Sequence, residues 1–275
     1  MKKELESIKN TLSDLCLISG LSGHEDQVRL YIQSKLKNLN LSYKNDIFGN
    51  ISSTIKGNSK LPSIMLFAHM DQLGFIIKKI ERNGLLRIER VGGVPEKTLP
   101  SLRVVVKSEK DKWLPGIIGN KSHHATMPEE KYTVSSCKDL FIDCGFTSKK
   151  EAEKKGIIIG CPVTYAPSFK NLDNNKVAGT SIDDRAGCSV ILEVANELKK
   201  IKNKPNVHVV FSTQEEFNLR GVLPMANTLL PDIAIQVDIM LSSDTPDMKN
   251  EGDIELGKGP CMSLYSFHGR CTLNG

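Results

Sequence analysis

The sequence predicts an α/β protein of three layers, with a mixed sheet, helices on both faces and a small inserted β-rich domain. Three apolar runs, at residues 64–68, 207–211 and 233–237, are interpreted as buried strands. The first run is apolar at every position, as expected for a strand that is covered on both faces. Histidine or acidic residues follow each run. Because ligands of open α/β sheets bind at the carboxyl ends of the strands, these residues indicate a site there.

Two helices are predicted before the first of these strands. Residues 2–19 place apolar side chains at helical spacing, and Gly20 is positioned to end that helix. Ser22 and Glu25 have the S-x-x-E spacing of a capping box, in which the hydroxyl caps a helix and the carboxylate bonds back to the cap. We therefore expect Glu25 to serve the start of the second helix.

The pattern of the sequence changes after the first buried strand. Glycine and proline separate several short β-like runs, among them 75–80, 85–91, 102–106 and 157–160. Such a stretch suits a small β-rich domain and not a continued alternation of strands and helices. We expect residues 74–168 to form this inserted domain, and residues 1–73 together with 169–275 to form the α/β domain.

Acidic residues recur at the predicted strand ends and at the start of a helix over about 185–199. Adjacent acids at a helix N-terminus are usually capping residues, and a lone H-x-D, an E-E pair or an acid after a strand is also weak evidence of a site. Their joint placement on one edge of the sheet strengthens the case. One histidine and six acids share this placement: His69, Asp71, Asp183, Asp184, Glu215, Glu216 and Asp238.

Such a cluster indicates metal binding. Carboxylates brought together in a crevice repel one another and resist ionisation unless a cation compensates them. Histidine and carboxylate ligands without a thiolate suit zinc, cobalt or manganese in a catalytic site with a position open for water. Two such ions about 3.5–4 Å apart would share a hydroxide and polarise a carbonyl, which is the chemistry of peptide hydrolysis.

Composition narrows the other function classes. The chain has 275 residues, of which 39% are hydrophobic and 25% charged, and no apolar stretch approaches the roughly 18 residues of a membrane span. The N-terminus lacks the apolar core of a signal peptide, and the seven cysteines form no C-x-x-C pair, so a cytoplasmic location with reduced thiols is expected. The net charge of +5 comes from lysines interleaved with acids, so neither nucleic acid nor a membrane is an expected partner.

Four ordered motifs carry a family resemblance. They are H-x-D at 69–71, S-I-D-D-R-A-G at 181–187, Q-E-E at 214–216 with R-G shortly after, and V-D at 237–238. In this order the chain resembles, over nearly its whole length, the co-catalytic metallo-aminopeptidases related to glutamyl and deblocking aminopeptidases. Members of that family are often labelled endoglucanases. The resemblance implies a cofactor of two divalent ions, zinc or cobalt, with manganese as a further candidate.

The resemblance also implies the metal ligands. It places His69 on one ion, Asp183 between the two ions, and Glu216 and Asp238 on separate ions. The chain ends before the family's remaining histidine ligand, so weaker binding of the second ion is expected. A satisfied structural histidine is the preferred interpretation of His268. The pair at 123–124 lies in the inserted segment and is expected to be exposed or to reach a neighbouring subunit.

Two further residues acquire roles from the resemblance. Glu215 would be the general base that takes a proton from the bridging water and delivers it to the leaving amine. Asp71 would orient the imidazole through its other nitrogen. The alternatives are an indirect, supporting carboxylate for Glu215 and a simple turn acid for Asp71. The bond between Asp183 and Asp184 is expected to be cis. Phe217-Asn218 stands where the family has a small apolar residue and glycine, which is expected to reshape the pocket.

The expected function is an aminopeptidase that removes N-terminal residues from peptides and forms a homo-oligomer through residues 74–168. Another di-metal amidohydrolase, such as a carboxypeptidase or deacylase, is the alternative enzyme, but its insertion would follow the position of Glu216. A catalytically impaired, truncated member acting as a binding or assembly subunit is the alternative from another class. A glycoside hydrolase has little support, because only 5% of residues are aromatic.

Overall fold

Helices and strands follow one another along the part of the chain that the structure describes. The computed structural model describes residues 2–248, 252–263, 265–266 and 269–270. The helices are α1 (Lys2–Cys16), α2 (Asp26–Asn38), α3 (Lys149–Lys154), α4 (Ile182–Leu198) and α5 (Val222–Leu229). The strands are β1 (Lys44–Asn45), β2 (Ile51–Ile55), β3 (Ile64–His69), β4 (Gly74–Ile80), β5 (Leu86–Val91), β6 (Arg103–Lys107), β7 (Trp113–Gly119), β8 (Phe141–Asp143), β9 (Pro162–Tyr165), β10 (Phe169–Asn171), β11 (Val177–Gly179), β12 (Val207–Ser212), β13 (Ile233–Gln236), β14 (Tyr265–Ser266) and β15 (Gly269–Arg270).

A five-stranded mixed sheet has the order β1-β2-β12-β3-β13. The strands β12 and β13 both run parallel to β3, whereas β2 pairs antiparallel to β12 and β1 antiparallel to β2. Ser212 at the end of β12 is the register partner of His69 at the end of β3. Because these two strands end level, the residues that follow them meet at one edge of the sheet. The predicted mixed α/β fold is confirmed.

Apolar side chains from alternate strand positions contact different helices. One cluster joins Val209 and Phe211 of β12 to buried residues of α1, α2 and α4. Val210, which points to the other face of β12, packs with Val222 and Met225 of α5. The period of two residues along a strand explains this division, because neighbouring side chains point to opposite faces.

The last strand of the sheet differs from its prediction. All four residues of β13 are exposed, and Ile233 and Ile235 are each 45% accessible. In the described part of the chain β13 pairs only with β3, so it is an edge strand there. The prediction of a third buried strand is therefore wrong, because an apolar run shows strand propensity but not what covers it.

Residues 74–165 contain a closed barrel. Its strands pair in the order β4-β5-β8-β7-β6-β9, every pair is antiparallel, and β9 returns to β4. The apolar interior includes Phe75, Ile88, Val106 and Ile142, all at most 2% exposed. Closure pairs the edge strands with each other, so the small sheet presents no free edge.

Strand boundaries inside the barrel agree only partly with the expected runs. Three runs correspond to β4, β5 and β6, but the predicted run at 157–160 is a turn next to β9. The strand β7 was not expected, because Pro115 and Gly116 resemble a chain break. Pro115 pairs with Val105 of β6, while the pairing of β7 to β8 begins only at Ile117. The missing amide proton of Pro115 therefore removes no bond to β8.

Two compact units are found, Met1–Asp238 and Ile239–Gly275. The sheet and the barrel belong to the first. In the second, Ser243 exchanges hydrogen bonds with Ile254, and β14 pairs antiparallel with β15. His268 lies outside the described residues. No helix in the ranges given above has both the length and the apolar character needed to cross a membrane.

Candidate metal centre

His69 lies at the carboxyl end of β3 and is 2% exposed. Its Nε2 lies 2.9 Å from Asp183 Oδ1 and 3.9 Å from Glu215 Oε2. Its Nδ1 lies 3.3 Å from Asp71 Oδ1. Burial alone would lower the pKa of His69, but the carboxylates of Asp183 and Asp71 outweigh it and raise that pKa well above its ordinary value.

The start of α4 sends two adjacent acids in different directions. The Asp183–Asp184 peptide bond is cis, as the family resemblance implied, and both residues have non-helical backbone angles. Asp184 is fully buried and accepts hydrogen bonds from His69 N at 3.3 Å and from Gly187 N at 2.9 Å. Burial raises the pKa of Asp184 to about 8, and the charge of Asp238 adds to the rise. Asp184 therefore holds the backbone of His69, while Asp183 contacts its ring.

Three side chains converge to a possible ion site. One ligand atom from each of His69, Asp183 and Asp238 lies within 4.8 Å of the other two. Asp238, which follows β13, also accepts a hydrogen bond from Gln236 Nε2 at 2.6 Å. These residues come from three distant parts of the sequence and meet because the end of β3, the start of α4 and the end of β13 lie together at the carboxyl edge of the sheet. An imidazole and two carboxylates without a thiolate match the donors of a catalytic zinc or cobalt site.

The loop after β12 carries two more acids toward His69. Glu215 and Glu216 are both half-buried. Burial raises the pKa of Glu215, and it raises the pKa of Glu216 to about 7, with Asp183 contributing repulsion to both. A cation bound between these carboxylates would favour their ionised form and so oppose the rise of their pKa values. The raised pKa values thus support the fit of a positive ion at this edge.

Asp71 holds the backbone of this loop. Its side chain is fully buried, and its two oxygens accept hydrogen bonds from Glu215 N at 3.0 Å and from Glu216 N at 3.1 Å. The sequence resemblance assigned Asp71 to the imidazole alone. The structure gives it a second partner, because the same carboxylate ties the end of β3 to the loop after β12.

Glu25 is a residue that the sequence analysis placed wrongly. The capping box is absent, because Ser22 N donates to Gln72 O at 3.2 Å and not to the carboxylate of Glu25. Glu25 stands at the N-cap of α2 without capping it through its side chain. Its Oε1 accepts from Gly23 N at 2.8 Å and from Gln214 N at 3.1 Å. The S-x-x-E spacing predicted a local contact with Ser22, whereas Glu25 contacts Gln214, which lies 189 residues away in the sequence.

Arg185 was part of a recognised motif but received no role from the sequence. It is fully buried, and its Nη1 donates to the carbonyls of Leu15 at 3.0 Å and Ile18 at 3.2 Å. Burial lowers the pKa of Arg185, and the nearby negative charges of Asp71 and Glu25 act against this fall. The guanidinium therefore supplies positive charge beneath the acidic edge and anchors the end of α1.

Comparison with known proteins identifies the family. Residues 49–271 match the family model of the M42 glutamyl aminopeptidases. The chain belongs to the M42 family. This M42 chain is 35% identical over 271 residues to SgcX, a candidate aminopeptidase of Escherichia coli (strain K12), which covers 98% of this chain and 72% of SgcX. The family resemblance drawn from the four motifs is confirmed.

Solved structures agree with this assignment. The M42 chain matches aminopeptidase APDkam598 from the archaeon Desulfurococcus kamchatkensis with a TM-score of 0.88 and 32% identity, covering 95% of this chain and 71% of that one. It matches the TET1 peptidase of Pyrococcus horikoshii with a TM-score of 0.81 and 31% identity, and the match covers 92% of this chain and 74% of that one. That peptidase can assemble into a tetrahedron or a large octahedral shell. The chain is thus a member of an aminopeptidase family.

Proposed function

We propose that this M42 chain is a metal-dependent aminopeptidase that hydrolyses N-terminal residues from peptides. The convergence of His69, Asp183 and Asp238 at the carboxyl edge of the sheet is the observation that carries the proposal. In the proposal, these residues and Glu216 hold two divalent ions, zinc or cobalt. When bound, such ions supply Lewis-acid polarisation of a carbonyl and lower the pKa of coordinated water.

Glu215 is the general base in this proposal. It lies beside His69 on a loop whose backbone is bonded to Asp71, so its carboxylate faces the cluster without being part of the three-residue group. Burial raises the pKa of Glu215, which brings a carboxylate closer to the pH at which proton transfer is efficient. The side chain would take a proton from the attacking water and deliver it to the leaving amine.

A loading and turnover experiment tests this function. The purified chain is loaded with zinc or cobalt, its metal content per chain is measured, and a panel of aminoacyl 4-nitroanilides is assayed. We expect two ions per chain and a turnover that falls in Glu215→Gln by about 10²–10⁴-fold, since that variant has lost the base. Glu6→Gln, at an exposed position of α1, is the matched control.

The outcomes of this experiment separate enzyme from non-enzyme. Retained turnover in Glu215→Gln would show that another group is the base. One ion or none, together with no turnover on any aminoacyl substrate, would refute the proposed activity of this chain.

The barrel is proposed to mediate self-association. In this proposal residues 74–168 form an inserted domain, and residues 1–73 with 169–275 form a catalytic domain of three layers. The assembly of the related Pyrococcus horikoshii peptidase supports it. Exposed apolar side chains in the barrel segment, among them Met127 and Tyr132, are candidates for the contact. A cytoplasmic location is part of the same proposal.

A further inference from the structure

We propose that Glu25 is a positioning residue for the reaction, because its buried carboxylate holds the backbone of Gln214 and thereby the loop that presents Glu215. This inference rests on the proposed role of Glu215 as general base. Glu25 lies in the connection between α1 and α2, far from the metal-ligand motifs in the sequence.

One carboxylate oxygen joins two loops. Glu25 is only 4% exposed, and its Oε1 accepts from Gly23 N in its own loop and from Gln214 N in the loop after β12. Helix capping does not explain this geometry, because the side chain makes no cap bond to α2. A buried carboxylate is costly unless hydrogen bonds compensate it, so these two amide donors account for its presence.

Glu25 and Asp71 together fix three successive amides. Gln214 N donates to Glu25, and the next two amides, of Glu215 and Glu216, donate to Asp71. Gln214 has a φ of 53°, a left-handed conformation that residues other than glycine rarely adopt. Hydrogen bonds from outside the loop hold this conformation, and the conformation determines where the side chain of the next residue points.

The support beneath Glu25 is itself tied to the site. Gly20 N donates to Gln72 Oε1 at 2.9 Å, and Gln72 N donates to Gly20 O at 3.0 Å. Gln72 directly follows Asp71, so the loop that carries Glu25 and the segment that carries His69 are bonded together. On the other side of Glu25, α2 is anchored by Val28, which is fully buried. Because the segments on both sides of Glu25 are held in place, Glu25 can hold the loop that presents Glu215.

Two substitutions of Glu25 and one matched control test the inference. Glu25→Ala removes the acceptor of both amides. Glu25→Gln keeps an amide oxygen that can accept both bonds, so it is the rescuing variant. Asp26→Asn changes the neighbouring acid, whose side chain is 58% exposed and pairs only with Arg29 among the described ion pairs. Each protein is loaded with zinc, and its metal content, kcat and KM are measured on an alanyl 4-nitroanilide substrate.

We expect Glu25→Ala to lower kcat by roughly 100-fold, since small displacements of a catalytic group have effects of this size. Its KM and metal content should stay near those of wild type, because the amide of Glu216 keeps its hydrogen bond to Asp71 and the described hydrogen bonds of Glu25 go to Gly23 and Gln214, not to a proposed metal ligand. Glu25→Gln should recover most of kcat, and Asp26→Asn should match wild type. A kcat of Glu25→Ala near the wild-type value would overturn the inference.

Amide hydrogen exchange tests the contact between Glu25 and Gln214 N independently of catalysis. We expect the peptide covering residues 213–217 to exchange faster in Glu25→Ala than in wild type, while Glu25→Gln and Asp26→Asn exchange at the wild-type rate. If the alanine variant does not fold, Glu25→Asp, whose shorter side chain withdraws the oxygen, takes its place under the same criterion. Unchanged exchange would overturn the inference. A metal-loaded wild type without turnover would instead refute the proposed function, and exchange alone would then decide on Glu25.

Discussion

Buried carboxylates define the site at the scale of single residues. Asp71, Asp184 and Glu25 are at most 4% exposed, and each accepts hydrogen bonds from two backbone amides. Two amide donors offset part of the cost of burying a carboxylate. Because each of these acids joins separate segments, we infer that they shape the site, while the more accessible Asp183 contacts the ring of His69.

The charge of Glu25 leads to a pH-dependent stability. Burial raises the pKa of Glu25 from 4.5 to about 7, and the charge of Asp71 adds to the rise. Between these values the folded protein keeps a proton that the unfolded chain has lost. The contribution of Glu25 to the free energy of unfolding therefore falls as the pH rises from 4.5 to about 7. The fall is on the order of 3 kcal/mol.

Urea unfolding at a series of pH values checks this expectation. Glu25→Gln has no titratable group at the position, so it should lack the fall and gain stability relative to wild type as the pH rises. Asp26→Asn should follow the wild-type curve. Curves for Glu25→Gln and wild type that run parallel over the whole pH range would contradict the raised pKa.

Local sequence predicts the acids of the site but not their partners. His69 and Asp238 follow apolar strands, so their positions at the sheet edge could be predicted from strand periodicity. The contact from Glu25 to Gln214 depends on how two loops 189 residues apart pack. No local pattern contains that information, and the S-x-x-E spacing favoured the wrong partner.

At the scale of elements, the start of α4 places Asp183 and Asp184 beside His69. Asp184 Oδ1 accepts a hydrogen bond from Gly187 N, and Gly187 also lies close to the carbonyl of Val237. A Cβ at Gly187 would collide with Asp184 Oδ1 and lie 2.5 Å from Val237 O. The glycine is therefore required by packing, and not by a positive φ.

Gly187→Ala tests this packing. We expect the substitution to lower the free energy of unfolding by about 1–3 kcal/mol, since a core without room must shift to admit a methyl group. Gly93→Ala is the control, because a Cβ there would meet no heavy atom within 4 Å. Urea denaturation measures both variants. Equal stability of Gly187→Ala and Gly93→Ala would show that the helix start relaxes without cost.

All three apolar runs are strands, as predicted, but their burial was predicted correctly only where helices cover them. The strands β3 and β12 contribute side chains to the core beneath the helices, whereas all four residues of β13 are exposed. Strand β7 was missed because a proline and a glycine lie within it. Both errors concern pairing and burial, which depend on neighbouring strands and not on the run itself.

At the scale of the whole molecule, the proposed ion joins distant segments. His69 ends β3, Asp183 lies at the start of α4, and Asp238 follows β13. In the sequence, the barrel lies between the first two of these residues, and α4 and β12 lie between the last two. An ion that binds only the folded chain stabilises it by about 2.7 kcal/mol at a free concentration 100 times Kd. We therefore expect a chelator to lower the thermal midpoint by several degrees and added zinc to restore it.

The variant Asp183→Asn serves as the comparison in this thermal experiment. It removes one negative ligand at a half-exposed position, so it should show a smaller dependence on zinc. A midpoint that does not respond to chelation in the wild type, or that responds equally in Asp183→Asn, would contradict ion binding at this edge.

Anomalous X-ray diffraction from zinc-loaded crystals, recorded on both sides of the zinc absorption edge, tests the central claim most directly. We expect two anomalous peaks at the carboxyl edge of the sheet, surrounded by His69, Asp183, Glu216 and Asp238. The absence of any peak there, or peaks held instead by the exposed His123 and His124 of the barrel segment, would contradict the assignment of this edge as the metal centre.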